Sequence, residues 1–347
     1  MSKSALLSTG TAAIGDLRLR SGVMLPDVKL AYATAGTLAP GRDNVILVTH
    51  GFTSTHLFIG RADESSAEGT WSGLVGPGRA IDTDRFFVIS SNMLGSSYGS
   101  TAPASINPAT SKPYGPDFPA ITVADIVAAQ RQMLLGMGID RLIAVVGPSY
   151  GGFQALSWGV EYPGVARGLG ASVTGLRSPG DLSAEGLRAQ FAQDPNWNGG
   201  WYYDRGGIAG TMAALRERTM RVYGADEYLR ARYPDEAQRG EAIRRQARSW
   251  GEAFDPNAMI ALAGAAERYD VTGLLHRITA PVLYVLSRTD QVFPPSLAPE
   301  AMRAFAAAGV RATYFEIDSD HGHHAAGSDS AKWAPVLGRF VNEVAAG

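Results

Sequence analysis

Residues Gly147-Pro148-Ser149-Tyr150-Gly151 stand between an apolar run and a helical pattern, and they constrain this chain more than any other stretch. Before them, Leu142 to Val146 is short, continuous and rich in branched apolar residues, the pattern of a strand buried on both faces. After them, Gly152 to Tyr162 sets Phe153, Leu156 and Val160 along a helical run that Pro163 bounds. A serine with glycines two positions away on either side, at a strand-to-helix junction, is a nucleophile elbow. The turn is too sharp for bulky flanks, so glycines occupy both. It pushes the serine hydroxyl out over the sheet edge, above the free N–H groups of the new helix. A glycine-rich strand-to-helix loop without chemistry is the plainer alternative, and the strand–turn–helix context argues against it.

The 347 residues suffice for one large α/β domain with an insertion or for two ordinary domains. With 45% hydrophobic and only 18% charged residues, a large fraction of the chain is expected to be buried. A formal net charge of −2 without long basic runs leaves no electrostatic footprint for nucleic acid or an anionic membrane. The absence of cysteine excludes disulfides, thiolate metal sites and a thiol nucleophile. Met1 to Leu7 holds too short an apolar stretch for a signal peptide, and no window approaches about 18 apolar residues, so a cytoplasmic protein without a membrane span is expected.

Strand patterns recur at Val28 to Ala33, Val45 to Thr49, Phe86 to Ser90, Leu142 to Val146, Val282 to Leu286 and Thr313 to Ile317. Helical patterns lie at Ile121 to Met137, Gly152 to Tyr162, Pro299 to Ala308 and Ala331 to Ala345. Apolar strands alternating with amphipathic helices predict a mostly parallel central sheet flanked by helices on both faces. From about Ser178 to His276 the alternation stops and only helical patterns remain, which predicts a helical cap at 178–275 inserted into a core of 1–177 and 276–347. With the elbow, this is the α/β-hydrolase architecture. The long loop from Asn92 to Pro119, rich in Gly, Pro, Ser and Thr, reads as functional rather than decorative.

A serine hydroxyl needs an imidazole to take its proton, and the imidazole needs an acid to fix its tautomer. In this fold the chain order is serine, acid, histidine. Asp290 follows the strand Val282 to Leu286 and so sits on the same sheet edge as Ser149. After the last strand, His321, His323 and His324 compete for the base; His323 is favoured because Gly322 permits the sharp turn before it. For the developing oxyanion, the amides of Tyr150 and of Phe52, in the turn His50-Gly51-Phe52-Thr53, are the candidate donors, with His50 supporting the turn. Two rivals remain: a metal held by Asp320-His321-Gly322-His323-His324, and a binding module without catalysis.

Longer stretches are more specific. Ala31 to Leu38, Gly76 to Phe87, Tyr98-Gly99-Ser100-Thr101, Asn107-Pro108, Tyr114 to Pro119, Gln154-Ala155-Leu156 and Asp194 to Gly200 resemble the homoserine O-acetyltransferase family of α/β-hydrolase-fold enzymes. The resemblance implies Ser149, Asp290 and His323 as a triad and ping-pong transfer of acetyl from acetyl-CoA through an acyl-serine. It further implies a cap arginine on the amino-acid carboxylate, at Arg188, and an aspartate directly after the histidine to hold the amine; here that place is His324. Without an amine anchor, water becomes the default acceptor. The expectation is therefore a serine carboxylesterase for short acyl esters, acetate first, acting on a small-molecule ester without metal or cofactor. The alternative is an acetyl-CoA-dependent O-acetyltransferase acting on homoserine or another hydroxyl. The resemblance is also compatible with a homodimer formed through cap helices.

Overall fold

Short, fully buried β-branched runs become the centre of the sheet, and half-buried alternating ones become its edge. The computed structural model describes residues 7–60, 70–180 and 183–347. Eight strands form the main sheet: β1 (Ser8–Arg18), β2 (Met24–Ala35), β3 (Val45–Val48), β4 (Phe87–Ser91), β5 (Leu142–Pro148), β6 (Ala166–Ser172), β7 (Val282–Ser287) and β8 (Ala312–Ile317). Their spatial order is β1-β2-β4-β3-β5-β6-β7-β8. The β1–β2 and β2–β4 pairings are antiparallel and all the others parallel. The chain therefore has the α/β-hydrolase fold that its elbow and alternation predict.

Helices α1 (Val123–Gly136) and α2 (Tyr150–Glu161) cover one face of the sheet. The cap helices α3 (Ala184–Phe191), α4 (Ala209–Val222), α5 (Ala225–Arg230), α6 (Glu236–Ala253) and α7 (Pro256–Glu267) follow β6. After β7 come α8 (Ala298–Ala307), the short α9 (Ala325–Ser328) and α10 (Ala334–Ala346). Period-two alternation on β3 shows the two-sided core. Val45 and Leu47 join the cluster containing Ile126, Met133 and Leu156 from α1 and α2, while Ile46 and Val48 join Leu337, Val341 and Val344 from α10.

Two strands of the main sheet escaped the sequence reading. β1 is an edge strand of small and polar residues with register shifts at Ala13/Gly15 and Gly15/Leu17, so its apolar signal is weak. β6, Ala-Arg-Gly-Leu-Gly-Ala-Ser, carries glycines that propensity disfavours in strands. The reason is steric: a Cβ on Gly168 would lie 2.8 Å from Val344 and 2.9 Å from Phe340 on α10. Small residues let α10 pack down on the sheet there.

Between β6 and β7 the described elements are all helical, and an isolated bridge from Arg177 to Asp270 closes the base of this insertion. The cap is also tied to the long loop: the hydroxyls of Tyr202 and Tyr203 donate to the Asp255 carboxylate, and the Asp255 N–H donates to Ser97 Oγ at 2.8 Å. Burial raises the Asp255 carboxyl above its ordinary range despite these donors.

A second polar chain runs beneath the elbow. Trp158 Nε1–H donates to Gln130 Oε1 at 2.8 Å, Gln130 Nε2 to Gln154 Oε1 at 2.7 Å, and Gln154 Nε2 to the His50 carbonyl at 3.1 Å. It links α1, α2 and the turn after β3 through fully buried side chains, where an unmade hydrogen bond is expensive. Gln130→Leu strands the indole N–H and the Gln154 carbonyl together. It is expected to lower stability by about 2–4 kcal/mol, read as a lower urea midpoint at unchanged m.

Candidate active site

β5 delivers the chain to Ser149 in a conformation that side-chain-bearing residues rarely adopt, φ +55° and ψ −122°. Neighbours over-determine it. The Ser149 N–H donates to the Ser172 carbonyl at 2.8 Å, and Thr174 Oγ1 donates to the Ser149 carbonyl at 2.8 Å. A Cβ on Gly147 would fall 2.6 Å from the Thr49 carbonyl oxygen and 2.8 Å from the Gly151 carbonyl carbon. Thr49 Oγ1 itself donates to the Gly151 carbonyl at 2.8 Å, stitching the end of β3 to the start of α2.

Beside the elbow, the turn after Thr49 presents Phe52. No backbone carbonyl among the described residues accepts from the N–H of Phe52 or of Tyr150, the latter opening the N-terminus of α2. Buried His50 holds this turn. Its Nδ1 lies 2.9 Å from the Gly51 carbonyl and its Nε2 accepts the Met93 N–H at 3.3 Å, a pattern that only the neutral ring satisfies. Burial accordingly lowers its pKa to about 3, and that of nearby His56 to about 4.

Asp290, just past the end of β7, is 2% exposed. Its Oδ1 accepts the N–H groups of Val292 at 2.8 Å and Phe293 at 3.2 Å, and its Oδ2 lies 2.8 Å from His323 Nδ1. A carboxylate only accepts, so Nδ1 carries the proton and Nε2 is left as the basic nitrogen. His323 sits in a 3-10 turn that Gly322 enters at φ +57°, where a Cβ would lie 2.9 Å from the Tyr223 carbonyl. The rings of Tyr223 and Phe293, 4.8 and 5.8 Å from the imidazole, line the same cavity as Ser149.

The other two histidines diverge. His321 Nδ1 lies 2.9 Å from Ser328 Oγ and 3.5 Å from Asp329, and His324 packs on the Tyr228 ring at 5.5 Å. Among the described residues no three His, Cys, Asp or Glu side chains gather closely enough to hold a metal ion.

The cavity over Ser149 measures about 200 Å³. Its walls include the apolar Phe52, Phe153, Met259 and Phe293 and the hydroxyl-bearing Thr53, Tyr150, Thr219 and Tyr223. Arg188 does not line it. On α3, Arg188 borders a separate cavity of about 350 Å³ with Pro116, Phe118 and Arg268, formed against the long loop. The structure thus does not bring Arg188, to which the resemblance gives the carboxylate role, into the Ser149 cavity: Ile260 and Gly264 of α7 face the Arg188 cavity, while Met259 and Ala266 face that of Ser149.

The arginine that does approach is Arg216 of α4, 1% exposed. Its Nη1 donates to Thr53 Oγ1 at 2.7 Å, and its guanidinium lies 5.1 Å over Trp250 and 5.9 Å over Tyr223. Its Nε and Nη2 have no hydrogen-bond partner among the described residues. Sequence reasoning missed it. The available signal was a cation on the buried stripe of α4, with Met212 and Met220 one turn to either side.

The sequence matches the alpha/beta hydrolase fold family over residues 44–327. It is 37% identical to the homoserine O-acetyltransferase of Geobacter sulfurreducens over 355 residues, covering 96% of each chain. Among solved structures, the homoserine O-acetyltransferase of Bacillus anthracis is similar with a TM-score of 0.87 at 27% identity, covering 97% of this chain and 98% of that one. Esterase E22 is similar with a TM-score of 0.86 at 26% identity, covering 97% and 100%.

His50 and His56 make stability depend on pH. Both pKa values fall from 6.5 in the unfolded chain, so the folded state binds fewer protons between about pH 4 and 6.5, and stability rises with pH there. The urea midpoint is expected to drop from pH 7 to pH 5, with a shallower drop in His56→Asn.

Proposed function

The chain belongs to the homoserine O-acetyltransferase family of α/β-hydrolase-fold enzymes, and from that premise we propose that it is an O-acyltransferase working through an acyl-serine at Ser149. The donor is an acyl-CoA thioester and the acceptor a small alcohol bearing a carboxylate. Ser149 Oγ attacks the thioester carbonyl while His323 Nε2 takes its proton. The amides of Phe52 and Tyr150 hold the oxyanion, and the carbon–sulfur bond breaks as His323 returns the proton to the departing thiolate. In the second half the acceptor hydroxyl loses its proton to His323, attacks the acyl-serine, and Ser149 leaves reprotonated. Asp290 stays ionised and keeps the imidazolium oriented. No metal enters the cycle.

Arg216 carries the choice of acceptor. A buried guanidinium with two N–H-bearing nitrogens unpartnered is costly until an anion reaches it, and a carboxylate fits two parallel donors. Thr53 and Tyr223, which it touches, belong to the Ser149 cavity. No acidic side chain is among the described residues lining that cavity, and His324 stands where the resemblance implies an aspartate for an amine. The acceptor is thus a hydroxy acid, with homoserine the weaker substrate.

Hydrolysis is the same cycle with water as second nucleophile. His324 and the similarity to esterase E22 support it as the reaction of the acyl-enzyme when no alcohol is bound. The sequence relatives, at 37% identity, favour transfer.

The test is thiol release from acetyl-CoA by purified protein given 4-hydroxybutanoate, homoserine or 1-butanol. Release is expected to be fastest with 4-hydroxybutanoate, slower with homoserine and near the water rate with 1-butanol. Arg216→Gln is expected to raise the acceptor KM by about tenfold or more, as loss of a charged hydrogen-bonded pair implies. Ser149→Ala is expected to abolish release. Fast hydrolysis of acetate esters combined with thiol release indifferent to every alcohol would leave the carboxylesterase reading in possession.

A further inference from the structure

The residue after the proposed nucleophile is a tyrosine whose two ends do different things. Its N–H opens α2, while its ring is buried against Phe52, nearly parallel at 5.8 Å and 19°, and against Phe153 at 5.6 Å. The Tyr150 hydroxyl donates to the Leu262 carbonyl at 3.1 Å, on cap helix α7. Met259 and Ala266, on the same side of α7, face the Ser149 cavity. The phenol is therefore a strut from the elbow to the cap, and its ring is one wall of the cavity.

That wall has no room to retreat. Phe153 behind it is stacked on Tyr269 at 4.0 Å and meets Phe293 edge-on at 5.8 Å. The space left is about 200 Å³, below the roughly 300 Å³ at which pockets for drug-sized ligands begin. Most of its lining is apolar, including Phe52, Tyr150, Phe153, Met259 and Phe293, and Thr53, which accepts from Arg216, lines it with Thr219 and Tyr223. An acyl carbonyl held by the amides of Phe52 and Tyr150 lies next to the side chains of those same two residues.

Resting on the acyl-serine reading, we propose that Tyr150 sets the acyl-chain length. Its pinned ring walls the cavity, so the acyl group is short and uncharged. Chains longer than about four carbons meet the phenol, and an acyl group ending in a carboxylate meets a cavity with no cation among the described residues that line it. Tyr150 here is a specificity residue acting through volume, separate from the role of its amide.

The experiment is a chain-length profile with p-nitrophenyl acetate, butyrate, hexanoate and octanoate, reported as kcat/KM relative to acetate. This reads acylation and requires no knowledge of the acceptor. Wild type is expected to lose about tenfold or more from butyrate to hexanoate, the discrimination available to a pocket that excludes a methylene. Tyr150→Ala is expected to raise the hexanoate-to-acetate ratio by about tenfold. Met259→Ala, a milder change on the cap side of the same wall, is expected to raise it in the same direction. Tyr150→Phe, which keeps the ring and loses the hydroxyl, is expected to keep the wild-type ratio. A wild-type profile flat from acetate to octanoate, or ratios unmoved in both Tyr150→Ala and Met259→Ala, would overturn the assignment. Failure of wild type to turn over any ester, with no acyl adduct at Ser149, would remove the acyl-serine reading and this inference together.

Discussion

Two backbone segments approach each other here more closely than side chains permit. The end of β3 at Thr49 lies against Gly147 and Gly151, and the hydroxyl of Thr49 spans the gap to the Gly151 carbonyl. Because those segments touch, the turn after β3 and the N-terminus of α2 lie side by side, and the amides of Phe52 and Tyr150 with them. The left-handed conformation of Ser149 follows from the same crowding. The strain costs on the order of 1–3 kcal/mol, and the bonds to Ser172 and Thr174 offset it locally. Beneath the pair, the Gln130–Gln154–His50 chain keeps the turn from drifting.

Charge is placed by the same economy. Asp290 is buried, yet two N–H groups and the His323 ring surround its carboxylate, so the acid is held without exposure to water. Arg216 is the opposite case, a buried cation with one hydroxyl and two aromatic faces for company. The first arrangement is complete in itself. The second leaves Nε and Nη2 without a partner among the described residues, and under the proposed function the acceptor's carboxylate completes it.

The positions around the cavity divide by how local their signal is. Ser149, Tyr150, Phe52 and Asp290 each lie within a few residues of a strand end, and a strand end announces itself as an apolar run followed by turn residues. His323 required one more clue, the glycine at 322 that admits a positive φ. Arg216 has no such neighbour. Mid-helix, its role depends on Trp250 and Thr53, which are 34 and 163 residues away in sequence, and only packing brings them together. Arg188 takes its expected role from the resemblance alone, and a match in sequence does not say which cavity a cap helix borders. The sheet shows the same limit. β3, β5 and β7 read clearly because β-branched runs mark them, while β6 is a strand whose composition answers to α10 rather than to its own backbone.

The loop that carries His323 and the end of α4 share a hydrogen bond. The His324 N–H donates to the Tyr223 carbonyl at 3.3 Å, and Gly322 leaves that carbonyl no slack. A cap joined in this way to the proton-handling side of the site is not an interchangeable module. Grafting a foreign lid onto this core would sever the join, so new specificities are reached more readily by altering side chains within the existing cap than by exchanging it whole.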